Sequence, residues 1–550
     1  MVTVENITTW GDTTPPFLRR IADLLGSGRN LPEPVPAATL SEIETVINSR
    51  RSFALRSIDR ERLAHELAKD HEARGAPAET LAAARNLARP DAYLVIAGQQ
   101  PGLLLGPLYT LAKCLQVVNL ARQLTQQGFG TILPAFWNAS EDHDHNEIDH
   151  IVWLGEDRQP TCYRADLHNV PETLCVSSIP KERACLSDLI AMLREALGQE
   201  AHIDSVISWI SGSYAQAGPS LADWFDHLLW ALLPGSGLLI LRPESRCLRV
   251  AAQPILRREI REPARSSMEA NRAGDRLEHL GLSRQIHKSE SRTSFFLLEG
   301  GRRIPLALMG VQFALPDGTT CRQEDLDRRL QERPETFSTS AILRPVVQDA
   351  CLPTLAAVLG PHEALYHLQL AEIYQRHEVP RPALIPRSSL TLLEPYDLKT
   401  LAKTGLSPSD CARDVRALVR EVVRSQLGGD YARLREDLES YVGSAYGRFA
   451  DLGASIDPTL APTIAKQQWR IVKTIRETEA LLVRRRAERE EVLRRQIEFV
   501  ARSVFPLGEP QERVLGVVHF LARYGMALPQ RLSETLTGIP PGTHALLGLS

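Results

Sequence analysis

The stretch Glu141-Asp142-His143-Asp144-His145-Asn146-Glu147 sets two imidazoles among four carboxylates. Carboxylates beside imidazoles can relay protons, orient one another or hold a metal ion. Burying that much charge is costly unless it is exposed or used, and an exposed polar loop is the plain alternative. His143 and His145 would point the same way in extended backbone, so a metal site completed by Asp and Glu is one reading. Adjacent His and Asp occur often without metal. The preferred reading therefore makes His143 a proton donor or oxyanion partner, oriented by Asp142 or Asp144 with Glu141 alongside, and assigns no metal ligand.

A second stretch runs Gly98-Gln99-Gln100-Pro101-Gly102 through three leucines to Gly106 and Pro107. Gln99 and Gln100 stand where a purely structural turn would take Ser, Asp or Asn. Past Pro107 the spacing becomes helical, and a helix N-terminus offers free N–H groups that suit a phosphate or carboxylate. Tyr109 and Thr110 would add hydroxyls at the rim, and Lys113 a full charge one to two turns in. The stretch is neither a Walker A loop nor a clean G-x-G-x-x-G. Further along, Arg344, Gln348, Glu363, Tyr366 and Arg387 follow Gly-Pro or Pro-bounded loops. Arginine pairs bidentately with carboxylates and phosphates, although an isolated one is more often a surface ion pair.

These residues need a frame. Tyr93–Ala97 and Ile132–Trp137 are apolar runs of strand length, and between them Leu108, Leu111, Leu115, Val118 and Leu120 recur at helical spacing. Strand, loop, helix and strand open a parallel α/β sheet, with both chemical stretches after the C-terminal ends of strands, where open α/β sheets bind ligands. Further strands are expected at Gly237–Leu241, at Ala357–Leu359 and ending at Ile385-Pro386-Arg387. The reading is thus α/β: residues 1–90 a helical segment packing on the core, 91–400 a Rossmann-like parallel sheet, with insertions at about 152–204 and 250–335. In the second insertion, Arg292–Arg303 reads as two strands about a Gly-Gly turn. Residues 405–505 change to helix formers, with Leu434, Leu438, Tyr441, Ala445 and Phe449 as a coiled-coil seam. Asp457-Pro458 breaks the seam, and a second helix from Pro462 to Val504 completes an antiparallel hairpin. Residues 506–550 read as a helical tail. An opening helix is expected at Phe17–Leu25, before a Pro-rich break at Leu31–Pro36.

The 550 residues exceed one compact core, and the net charge of −3 gives no basic field for nucleic acid. Eight cysteines lie singly without a CxxC, and no apolar run approaches a membrane span, so a reducing cytoplasm is expected.

The residues also resemble a known family. AGQQPGLLLGPLYTLAK followed by PAFWNASEDHDHNEIDH is similar to the paired signature of the cysteine ligases of bacillithiol biosynthesis, TGQQ-x-G-L-x-x-GPLYT and FW-x-x-xEDHD. LRP-x-x-Q at Arg344 and Gln348, GP-x-E-x-x-Y at Glu363 and Tyr366, PR-x-S at Arg387 and FP-x-G-x-x-QER at Gln511 and Arg513 extend the likeness over about residues 90–525. Two departures stand out: an aromatic is usual where His145 stands, and an acidic residue where Arg242 ends a strand. The resemblance implies a ligase that forms an amide between cysteine and glucosaminyl-malate. ATP or ADP is a candidate ligand for activating the carboxylate. The apolar seam of the hairpin predicts packing on another subunit or on the core, with a homodimer through the coiled coil expected, and the charge and apolar-run lengths predict neither a nucleic-acid nor a membrane partner. Two other classes stay open: a non-catalytic nucleotide-binding scaffold of thiol metabolism, and a metal-dependent amidohydrolase using the acidic–imidazole stretch.

Overall fold

The computed structural model describes residues 5–9 and 43–549, so the helix expected at Phe17–Leu25 and the break at Leu31–Pro36 lie outside the described residues. The chain forms two compact units. One holds the described residues up to Thr391 together with Gln511–Gly548, and the other holds Leu392–Pro510 and Leu549.

The first unit is built on a five-stranded sheet: β1 (Ala92–Gln99), β2 (Thr131–Asn138), β3 (Leu239–Leu241), β4 (Thr354–Leu359) and β5 (Ala383–Pro386). All neighbours are parallel, in the spatial order β5-β4-β1-β2-β3. The strands read as unbroken apolar runs because helices cover both faces. In β4, for instance, every residue is buried. From β1 the chain moves to β2 and β3 on one side, then returns to β4 and β5 on the other. The order therefore reverses between β1 and β4, and that crevice is where such sheets take ligands.

Helix α1 (Tyr109–Gln126) connects β1 to β2 and buries Leu111, Leu115, Val118 and Leu124. Helix α2 (Leu221–Leu232) starts at Ser220, whose Oγ accepts from the Asp223 N–H at 3.1 Å while Asp223 accepts from the Ser220 N–H at 2.9 Å. Arg242, at the end of β3, is buried against Asp223 and Asp226, at 2.8 Å from each. The basic residue there is thus neutralised within the fold. Helices α3 (Arg344–Cys351) and α4 (Pro361–Leu368) flank β4.

Both inserted regions carry their own strands. His150–Leu154 pairs with Pro160–Arg164. Arg292–Glu299 and Arg302–Met309 form a hairpin about Gly300 and Gly301, at φ 56° and 76°, within a five-stranded antiparallel sheet. That sheet ends on Phe337–Thr339, just past the expected boundary. The last segment is more than a helical tail: His544–Gly548 is a fully buried strand, antiparallel to Glu5–Thr9. A five-residue apolar run carries no periodicity to separate strand from helix.

In the second unit α5 (Gly428–Ile456) and α6 (Ala461–Arg489) form the expected antiparallel hairpin across Pro458–Leu460. The second arm does not run unbroken to Val504. It breaks at Glu490 (φ −90°, ψ 59°), and α7 (Glu491–Val504) follows. The seam also differs by one position. The inner face of α5 is half-buried Arg435, Glu439, Val442 and Tyr446, with Arg476 of α6 pairing Glu439 at 2.9 Å. Leu434, Leu438, Tyr441 and Phe449, expected in the seam, are 43–76% exposed. Charged pairs occupy the inner positions, so apolarity does not mark them.

Candidate functional site

A cavity of about 660 Å³ opens at the C-terminal ends of β1, β2, β4 and β5, on the crevice between β1 and β4. Its floor is the loop between β1 and α1. Gly98 lets the strands approach closely there, since a Cβ would stand a tight 3.1 Å from the Trp137 backbone oxygen and 3.1 Å from its Cβ. Buried Leu104 and Leu105 follow at φ 48° and 73°, then Gly106 at φ 64° and ψ −152°. Non-glycine residues in the left-handed region cost on the order of 1–3 kcal/mol each and cluster at functional sites. Hydrogen bonds from the Leu103 N–H to the Ile148 carbonyl (2.9 Å) and from the Leu108 N–H to the Leu515 carbonyl (2.8 Å) hold the loop. The first turn of α1 is therefore not the open N–H array the sequence suggested: Leu108 donates to Leu515, and Thr110 donates to the Pro107 carbonyl at 3.0 Å.

Gln99, Gln100, Pro107, Tyr109 and Lys113 line the cavity, whereas Gly106 lies off its wall and Thr110 is buried. The Lys113 Nζ donates to the Gly98 carbonyl (2.8 Å) and to Gln99 Oε1 (3.0 Å), and pairs with the Glu363 carboxylate at 2.7 Å. Burial draws the ammonium below the ordinary lysine range, against the pull of Glu363. Burial would raise the Glu363 carboxyl, but Lys113 and the Gly360 N–H at 2.7 Å outweigh it and hold it below the carboxylate range. The two form an ion pair, and Lys113 spends its three donors inside the protein. Tyr109 is pushed up to about 12 by burial, then by Glu147 and Glu363, so it presents a protonated hydroxyl.

The acidic–imidazole stretch reaches the same cavity through Glu141, Asp142, Asn146 and Glu147. Gln100 Nε2 donates to Asp142 Oδ2 at 2.8 Å, which joins the two loops directly. Glu141 is buried, accepting from Ser338 Oγ at 2.7 Å and from the Arg249 guanidinium. It acts as a clasp to the inserted sheet. Asp142 and His143 are met from that sheet by Arg303, whose Nη1 lies 3.4 Å from Asp142 Oδ1 and 3.3 Å from His143 Nδ1. His143 and the exposed Asp144 lie off the cavity wall. His145 Nε2 faces the Leu174 carbonyl at 2.8 Å. Among the described residues no three His, Cys, Asp or Glu side chains converge as a metal-binding group. The guanidinium beside His143 also opposes a cation there. Glu147 is raised above the carboxylate range, first by burial and then by Asp144 and Asp142.

Arg344, Glu363, Tyr366, Arg387 and Arg513 complete the predicted set on the wall. Arg344 donates to the Tyr366 hydroxyl at 2.6 Å and to Gln348 Oε1 at 3.3 Å, so the buried Gln348 steadies Arg344 from behind. Arg387 is held bidentately by Glu512 at 2.7 and 2.6 Å. Gln511 is fully buried next to that pair and off the wall. Lys288, Arg303, Phe296, Thr339 and Ser340 also line the cavity and were not expected. They come from the inserted sheet and its flanks, which carry no strand-end signature, so nothing in the sequence singled them out. The wall holds six Lys and Arg side chains against four Asp and Glu. Among the described residues, Lys288 Nζ and the Arg513 guanidinium make no ion pair or hydrogen bond. The arrangement suits a polar ligand carrying negative charge.

The chain resembles known proteins along nearly its whole length. Residues 37–388 match the family model described as "Bacillithiol biosynthesis BshC, N-terminal Rossmann-like domain". Residues 390–547 match "Bacillithiol biosynthesis BshC, C-terminal coiled-coil domain". A protein of Koribacter versatilis named "Putative cysteine ligase BshC" is 30% identical over 96% of this chain and 97% of its own length. Proteins of the same name from Salinibacter ruber and Heliobacterium modesticaldum are 29% and 30% identical, over 90% and 82% of each chain. With both family models matched in order and the signature loops meeting in one cavity, the chain belongs to the BshC family of bacillithiol biosynthesis.

Proposed function

We propose that this chain is a cysteine ligase that joins the carboxyl of cysteine to the amine of glucosaminyl-malate, the last step of bacillithiol biosynthesis. The names of its relatives and its family membership support the ligase chemistry. The observation that carries the substrate reading is a pair of cations, Lys288 and Arg513, that make no ion pair or hydrogen bond among the described residues, on the wall of a 660 Å³ cavity. A malate group brings two carboxylates, and a cavity of this size takes a ligand of a few tens of heavy atoms. A carboxylate does not accept an amine in water without activation, so the cysteine carboxyl enters as an acyl phosphate or acyl adenylate, with ATP as co-substrate. The C–N bond then forms, the activating group leaves and the amine loses a proton. Glu147, its carboxyl raised above the ordinary carboxylate range, suits that proton, and the Tyr109 hydroxyl and Arg303 suit the developing oxyanion.

Eight free cysteines, four of them buried, fit a reducing cytoplasm. No described helix is long and apolar enough to cross a membrane. The exposed apolar side chains of the hairpin support a homodimer.

Thiol and precursor analysis of a strain lacking this protein tests the proposal. Glucosaminyl-malate is expected to accumulate while bacillithiol disappears, and restoring the chain reverses both. Bacillithiol at the ordinary level would overturn the ligase reading in favour of a scaffold.

A further inference from the structure

His143 is the most conspicuous imidazole of the acidic–imidazole stretch, yet it does not line the cavity. Its ring packs edge-on against Phe296, with centroids 6.2 Å apart, and its Nδ1 is turned to Arg303 at 3.3 Å. Arg303 and Phe296 do line the cavity. The Arg303 side chain is 9% exposed, and its guanidinium lies 4.2 Å over the Phe296 ring. Nη1 is shared between Asp142 and His143, Nη2 donates to the Thr339 carbonyl, and the buried Nε has no partner among the described residues. A guanidinium held on three sides and presented to a cavity is pre-organised for a carboxylate or an oxyanion.

We propose that Arg303 is the substrate-facing cation at this end of the cavity, and that His143 is a positioning residue that acts through it. The inference rests on the ligase reading above and goes beyond it, because it moves the ligand contact from the signature imidazole to an arginine of the inserted hairpin. Arg303 can donate to His143 only if Nδ1 keeps its lone pair, so the imidazole is neutral with its proton on Nε2. Protonation would set two cations face to face and release Arg303 from its place. The charged groups around the ring are Arg303 from the hairpin and Asp142, Asp144 and His145 from its own segment. Burial and Arg303 together hold the imidazole below the ordinary histidine value of 6.5. Arg303 should thus stay in place through neutral pH and be lost as pH falls below that value.

Calorimetry of glucosaminyl-malate binding to the full chain, run alongside nitrogen NMR of the histidine rings, tests this. R303Q should weaken binding on the order of tenfold to a hundredfold, the range of one charge-assisted contact. R303K should recover little, because a point charge cannot reproduce the fork. H143A should weaken binding several-fold, and H143N, whose amide oxygen stands in for Nδ1, should recover most of it. Unchanged binding drops at acid pH, and in H143N it should not. Thermal melts confirm that each variant folds. If the unchanged protein binds and R303Q binds equally well, the proposal is wrong. If the unchanged protein does not bind glucosaminyl-malate at all, the ligase reading has failed. The rings still decide the rest: a His143 midpoint that does not rise in R303Q removes the coupling, and a rise supports it.

Discussion

Lys113 has three donors and three oxygens around them, from Gly98, Gln99 and Glu363. It ties the end of β1 to the start of α4 across the crevice, so its charge shapes the cavity more than it offers itself to a ligand. Its side chain is 3% exposed and that of Glu363 25%. Breaking one partner of a buried pair leaves the other uncompensated, at a cost of about 3–5 kcal/mol. Lys113→Met should therefore destabilise the first unit by about 3 kcal/mol in urea unfolding. The double variant Lys113→Met/Glu363→Gln should be more stable than the sum of its parts predicts. Additive losses would show that the two side chains do not interact. The sequence placed Lys113 and Glu363 in the site separately, but they stand 250 positions apart, and only the fold shows that they neutralise each other. Arg387 was legible as a strand-end arginine in the same way, while its engagement by Glu512 was not. Lys288 and Arg303 gave no signal at all, because their value comes from where an inserted hairpin folds back.

At the scale of elements, the β1–α1–β2 unit was legible because its two periodicities change where Gly and Pro stand. The interior of the loop was not. The sequence starts the helix only past Pro107 and gives the three leucines before it no conformation; Leu104 and Leu105 take left-handed backbone and bury their side chains under the cavity. Gly106 then sits at φ 64°, ψ −152°, a conformation open essentially to glycine alone. Gly106→Ala should cost about 1–3 kcal/mol of stability. It should also displace Pro107 and Tyr109 and so weaken binding of glucosaminyl-malate. Gly128, at φ 85° with nothing within 4 Å of a Cβ, is the control. Gly128→Ala carries backbone strain at the far end of α1 and should leave ligand binding alone. Equal ligand affinity in the two variants would argue that the loop does not position the site. The inserted sheet acts as an element too: it contributes Ser338 to Glu141 and Arg303 to Asp142, so it closes one wall of the cavity.

For the whole molecule, the coiled-coil hairpin was legible as two helices and a turn, but not in its facing. Its inner seam carries Arg435, Glu439 and Val442, and the apolar stripe that looked like a seam points outward. Leu434, Leu438, Tyr441, Phe449, Leu452 and Ile456 on α5 are 43–76% exposed, and Trp469 on α6 is 62% exposed. A stripe that long is a cost in water unless another surface covers it, and a second copy of the same hairpin supplies an equal stripe. Its borders bear charges of both signs, which suits self-association better than a nucleic-acid strand. The chain of 61.1 kDa should therefore sediment at twice that mass at micromolar concentration. Leu438→Glu with Phe449→Glu places two charges on the stripe without touching the inner seam. Removing two large apolar contacts and burying charge against a partner should raise the dissociation constant by at least about a hundredfold, a shift of some 3 kcal/mol. The variant should then sediment as a single chain with its helical content and first-unit melting unchanged. A single-chain mass for the unaltered protein, or a double mass that survives both substitutions, would show that this stripe is not the interface.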